Sequence, residues 1–382
     1  MAQRTSWLSL TVILTGCSLL TDVFPAVETV ARAAETAPVH TKNIVSKSYT
    51  IDKKYMSMTG PYSYNHEMLL EVDKPELLWV VGYQSDVVDA KSEEVVSQEW
   101  MCHANLDMDT EGYFKEFPTA PSMSGRLFTL SQGQSKIDFP AGFGIPIASD
   151  MELSLVTQVL NLNVDKPKNM KVKHKVQIRF MRDSELTQPM TPLFQAAVEG
   201  FKALEDARYY GISMDDVHDP DEFGPGCSVG QAAIAGDVDE DFLGQKFSAH
   251  WLVEPGEEVN RTNVTRFFNL PYDTTAHYIA VHLHPWAKSL ELRDLTTNKS
   301  MYLANVKPAE GRVGIESVQY YSSPEGIKFK KGHEYEVVSI YDNTSADNAD
   351  SMAVMYLYLK DQRFKKPERL TAGAAESVTE EG

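Results

Sequence analysis

Most of this chain reads as short apolar or alternating runs cut by turn residues, and that texture admits few folds other than packed antiparallel sheets. Residues 77–83 (LLWVVGY), 153–160 (LSLVTQVL) and 172–180 (VKHKVQIRF) are each of strand length and rich in β-branched and aromatic side chains. Gly60-Pro61, Gly133 and Gly142 punctuate them as turns or strand ends. The same texture returns at Phe247 and continues to about Leu359. The fold class read from this is all-β: two consecutive antiparallel β-sandwiches, jelly-roll-like, over 36–185 and 246–360. Between them, 186–245 reads as a partly helical, acidic linker or insertion. Its stretch 191–204 (TPLFQAAVEGFKAL) is helix-like, and 215–222 (DDVHDPDE) is acidic around His218 without the spacing of an EF-hand loop. Residues 361–382 read as a disordered tail.

The chain has 382 residues and a formal charge of −18, which argues against nucleic acid or an anionic membrane surface as a partner. Residues 1–35 read as an export signal. Arg4 supplies the charge, 7–14 (WLSLTVIL) the short apolar core, and two processing routes stay open. Residues 14–17 (LTGC) resemble a lipobox that would lipidate Cys17, whereas Ala31-Arg32-Ala33 offers ordinary cleavage. Either route implies an extracytoplasmic protein of a bacterial periplasm or cell envelope, lipid-anchored or soluble, meeting a membrane only through Cys17. Cys102 and Cys227 are the other cysteines, and an oxidising compartment would allow them to pair. No Walker loop or paired CxxC motif is present to support a nucleotide enzyme or zinc module.

The chemistry concentrates in 277–284 (HYIAVHLH). On a strand, residues two apart leave the same face, so His282 and His284 can converge on one ion. The later run 350–359 (DSMAVMYLYL) offers the Met352 thioether at the start of another strand. Two imidazoles and one thioether suit copper, and the soft sulfur favours Cu(I). His277 belongs to the opposite strand face from His282. It and His250, in 249–256 (AHWLVEPG), read as structural histidines.

The segments 275–294 (TAHYIAVHLHPWAKSLELRD) and 343–356 (NTSADNADSMAVMY) resemble the C-terminal domain of the copper type II, ascorbate-dependent monooxygenases, such as the peptidylglycine α-hydroxylating and dopamine β-monooxygenases. The resemblance implies a dioxygen-activating copper on His282, His284 and Met352. It also implies hydroxylation of a substrate C–H bond and an external reductant such as ascorbate. Tyr356 would be a substrate-facing hydroxyl.

Two departures accompany the resemblance. The family's second copper is held by three histidines, but 100–107 (WMCHANLD) supplies only His103, with Cys102 where the neighbouring histidine would fall. In 156–163 (VTQVLNLN), Leu160 or Leu162 occupies the place of the third ligand. A second site on His103 and Cys102, with His66 recruited by folding, is therefore doubtful. Where peptide-processing members carry an Arg and an Asn beside the metal, this chain has Ala280 and Val354. A small or apolar substrate is expected in place of a peptide carboxylate. The alternatives to an oxygenase are a non-catalytic copper store, carrier or sensor, and an adhesion module with incidental histidines.

Overall fold

The computed structural model describes residues 37–57, 59–168, 170–203 and 246–371, together with short strands at 208–209, 212–213 and 238–240. The segment read as an export signal (with Cys17), the acidic run around His218, Cys227 and the last residues of the tail lie outside the described residues. The described body belongs to one compact unit that begins at Thr36. Among the described residues, no helix is long and apolar enough to cross a membrane.

The protein is all-β, built from antiparallel sheets packed face to face. In the N-terminal half, His40–Val45, Met170–Arg182, Leu77–Asp89 and Phe143–Ala148 lie side by side. A four-stranded sheet, ordered Tyr62–Glu67, Leu153–Val159, Met101–Met108 and Arg126–Leu130, packs against them. Tyr49 crosses between these two layers, its hydroxyl 2.6 Å from both Ser63 and Thr157, while Tyr83 stacks on Phe128. In the C-terminal half, Ala353–Lys360 and Thr274–Leu283 form the inner layer. Gly256–Asn263, Tyr335–Asn343, Ala287–Asp294, Lys299–Pro308 and Ile315–Val318 form the outer sheet.

The helix expected within 191–204 is instead the strand Thr191–Glu199. It pairs antiparallel with Ala353–Lys360 along seven positions and touches Phe143–Ala148 in parallel at Thr191 and Pro192. A segment with ladder partners on both sides takes its conformation from the sheet, since tertiary pairing overrides local helix propensity. The consequence is a single ten-stranded sheet that passes from one half of the body into the other.

Alternation within the inner layer sets the chemistry. Ile279, Val281, Leu283, Met355, Leu357 and Leu359 belong to the strand face opposite the one bearing His282. Tyr278 and Tyr358, on the His282 face, pack against Phe139 of the N-terminal half, and Tyr358 donates to the Leu127 carbonyl at 2.9 Å. The histidine-bearing face is therefore buried against the N-terminal half.

Candidate metal centre

The ladder between Thr274–Leu283 and Ala353–Lys360 pairs Ala280 with Tyr356, His282 with Val354 and Leu283 with Ala353. Directly opposed residues in an antiparallel pair share a face, so Ala280, His282, Val354 and Tyr356 line one surface. His284 and Met352 lie just past the end of this ladder, their backbones meeting at the Tyr341 hydroxyl. The Tyr341 hydroxyl clamps its end. It donates to the Met352 carbonyl at 2.5 Å and accepts from the backbone N–H groups of His284 (3.3 Å) and Met352 (3.4 Å). Immediately beyond, Pro285 and Trp286 turn the chain, with the Ala287 N–H returning to the His284 carbonyl and Trp286 held at φ 74°. A bulky residue in that left-handed region carries strain, which this clamp helps to hold beside the histidines.

Both imidazoles are oriented through Nδ1. His282 Nδ1 lies 2.9 Å from Ser131 Oγ, and His284 Nδ1 lies 2.6 Å from Asp350 Oδ2 in a close charge contact that lacks the angle of a directed hydrogen bond. Asp350 belongs to the short strand Ala349–Ser351, which ends just before Met352. Tethering Nδ1 leaves Nε2 as the outward donor, the arrangement found when a second layer of groups fixes metal-binding imidazoles. His282 Nε2 is buried and has no hydrogen-bond partner. Exposure is 3% for His282, 4% for His284 and 0% for Met352.

The electrostatics agree with a neutral His282 imidazole. Burial holds His282 well below the ordinary imidazole range, and the neighbouring His284, His103, His250 and Arg126 add to this. For Asp350, burial pushes the carboxyl upward. The charge and contact of His284, a hydrogen bond from Ser57 and the charge of His250 outweigh that and hold it below its usual value.

A buried, unpartnered imidazole nitrogen beside a second imidazole, with a thioether-bearing residue whose backbone meets the Tyr341 hydroxyl, fits the donor set that copper takes. Among the described residues, no three His, Cys, Asp or Glu side chains gather with metal-ligand spacing. A two-histidine, one-methionine set is not a grouping of that kind.

The fold brings other histidines closer than the sequence indicates. His250 immediately precedes Trp251–Val253, which pairs with Ala349–Ser351, and its ring centroid is 5.5 Å from that of His284. The His282 and His284 centroids are 5.3 Å apart. His103 is fully buried and contributes to the depressed pKa of both His282 and His174, so it lies within electrostatic reach of each. Cys102 sits at an irregularity in the ladder between Met101 and His103. His66 is exposed, contacts Glu152 at 3.0 Å and pairs with Ser154. His103 pairs with Gln158, four residues along the same strand and on its other edge, which separates the two by about 16 Å. His66 therefore does not join His103. Leu160 is buried and offers no donor. His277, at a ladder irregularity, is tied to Thr275 Oγ1 and the Ser323 carbonyl and packs on Phe143, away from His282.

Ser131, Tyr341 and Ser57 were not legible as site residues, because each comes from a distant segment and joins through tertiary contact. Asp350 had a usable signal in its nearness to Met352, two residues along the chain.

No family model matches the chain, and no curated protein matches it. Among solved structures, it is similar to PNGase F, described as a glycosylasparaginase from Flavobacterium meningosepticum. The identity is 8% and the TM-score 0.33, with coverage of 86% of this chain and 98% of that one. It is also similar to the STIV MCP, at 7% identity and TM-score 0.30, covering 85% and 98% of the respective chains. Superposition at this level carries no argument about function.

Proposed function

We propose that the chain holds one copper ion, in the cuprous state, on His282, His284 and Met352. In this reading it serves as the centre of an extracytoplasmic, monooxygenase-like protein acting on a C–H bond of a small or apolar substrate. The observation that carries the reading is the buried, unpartnered His282 Nε2 near the ladder end where the Tyr341 hydroxyl joins the His284 and Met352 backbones. Copper bound there would supply one-electron chemistry toward dioxygen, with electrons from an external reductant such as ascorbate.

The chain's own groups have definable parts. Ser131 and Asp350 orient the imidazoles, and Tyr341 fixes the spacing of the two strand ends. Ala280 and Val354 make the adjoining wall apolar and exclude water, while Tyr356 adds a buried hydroxyl opposite Ala280. The family resemblance in 275–294 and 343–356 supports the oxygenase assignment.

A second reading is a copper store or carrier without turnover. It is favoured by burial, since Ala280, Val354 and Tyr356 are each at most 1% exposed alongside the ligands. The deciding experiment combines copper stoichiometry, X-ray absorption of the Cu(I) protein and reductant-dependent oxygen uptake. One copper with two nitrogen ligands and a Met352-dependent sulfur, together with oxygen uptake lost in His284→Ala, is the expected result. Tight copper binding without uptake under any reductant selects the storage reading, and no copper binding by the folded protein refutes both.

A further inference from the structure

We propose that residues 361–370 are a releasable clasp across the seam between the two halves, and that opening of this seam is how small molecules reach the buried His282 and His284. The access role rests on the copper reading, whereas the clasp itself does not. The two imidazoles are 3% and 4% exposed, so a metal ion or a reductant reaches them only when the packing around them moves. The halves share one sheet, yet among the described strands its ladder crosses between them at Thr191 with Phe143 and Pro192 with Gly144. A parallel bridge that short is a weak joint, so side-chain contacts must hold the seam.

The clasp supplies such contacts from a segment fixed at both ends. On the C-terminal half, the Asp361 carboxylate accepts from the Tyr272 hydroxyl at 2.7 Å and from the Arg363 N–H at 2.8 Å, and the Arg363 guanidinium lies over the Tyr272 ring at 4.8 Å. The following residues are held by the N-terminal half. Phe364 packs against both Trp79 and Phe117, with ring centroids 5.4 and 6.0 Å away. Lys366 pairs with one oxygen of Asp183, whose other oxygen accepts from the Trp79 indole at 2.8 Å. Arg369 spans Glu116 and Asp150, 2.7 Å from the latter, and Leu370 is buried beside it.

These contacts are of a kind that can let go. Phe364 is only partly buried, and the side chains of Arg369 and Asp150 are each 45% exposed. Exposed ion pairs are individually weak and are screened by salt. The strand Ala353–Lys360, from which the clasp leads, is by contrast buried over nearly its whole length. At the histidines the same seam is closed by Ser131 and Gln134 of the N-terminal half. Ser131 tethers His282, and the Gln134 side-chain carbonyl accepts from the Val281 N–H at 3.1 Å. The Val281 amide, one residue before His282, is therefore held across the seam and reports its opening.

The test is hydrogen exchange at Val281 in the copper-free full-length protein, compared with amides of the Met170–Arg182 strand. The reactivity of His282 toward diethylpyrocarbonate is followed alongside. In Phe364→Ala/Arg369→Ala, exchange at Val281 should speed up at least about 10-fold and His282 should react faster, while the Met170–Arg182 amides keep their rates. Lys365→Ala, at an exposed position of the same segment, should change neither. Unchanged exchange at Val281 overturns the proposal, and so does equal acceleration at every amide, which would mark the segment as an ordinary part of the fold. Faster exchange with unaltered His282 reactivity overturns the access role. If the double variant fails to fold, Arg369→Ala alone, which removes only surface pairs, decides by the same comparison. No copper is present in these measurements, so failure of the clasp and failure of the copper reading are told apart.

Discussion

Replacing Ser131 with Ala isolates how the N-terminal half holds the His282 imidazole of the proposed copper site. Ser131 Oγ is the group that His282 Nδ1 meets, at 2.9 Å, while Nε2 has no hydrogen-bond partner. The variant therefore leaves a buried imidazole without its tether. An unsatisfied buried polar group costs about 1–3 kcal/mol, so denaturant unfolding of the metal-free protein should show a loss in that range. The second effect is on the ring itself. With Nδ1 no longer tied, the proton distributes between the two nitrogens and the ring can turn. Loss of comparable outer partners lowers metal affinity by about 10–100-fold. A Cu(I) competition titration measures that loss, and imidazole nitrogen shifts in the metal-free protein report the tautomer. Unchanged affinity together with an unchanged tautomer in a folded Ser131→Ala protein would refute the reasoning, whatever the stability change.

Tyr341→Phe removes a hydroxyl that bonds both His284 and Met352 backbones, and we expect about 1–3 kcal/mol of destabilisation with weaker Cu(I) binding, by the same two assays. Met352→Leu conserves volume, so stability should change by less than about 1.5 kcal/mol while the sulfur signal disappears from the copper X-ray absorption spectrum. A persistent sulfur shell would point to another donor. Burial, reinforced by His103, holds His174 down to about 3, below its unfolded value of about 6.5. The unfolded state thus binds the proton first, and the group's stabilising contribution is lost as pH falls from 6.5 toward 3. Between pH 7 and 5 this amounts to about 2 kcal/mol, measured by denaturation, and His174→Gln should flatten that slope. At Gly133 (φ 86°) an added Cβ would come 2.5 Å from Ile315 Cγ2, so Gly133→Ala should lower the melting temperature, and an unchanged value would contradict the tight docking of this turn.

Much of the site was legible because strand periodicity is a local property. The i, i+2 spacing of His282 and His284, and the alternation of 353–360, follow from residue order once the segment is extended. The apolar replacements at Ala280 and Val354 could be read in the same way. The strand Thr191–Glu199 escaped because it is paired on both edges, and its sequence lacks the regular alternation of a half-exposed strand. The tethers on the imidazoles escaped for a different reason. Ser131 is separated from His282 by 151 positions, and no spacing rule connects residues whose contact depends on packing two sheets together.

The sequence by itself determined the sheet class and singled out His282, His284 and Met352 as candidates, which needs only backbone alternation and side-chain chemistry. The tertiary structure decided what surrounds them. It joined the His284 and Met352 backbones at the Tyr341 hydroxyl and continued one sheet through both halves. It also buried His282 Nε2 without a partner and brought Ser131, Asp350, Tyr341 and His250 to the same place. Those outcomes depend on which faces pack together, and burial is a property of the whole molecule that a run of residues does not carry.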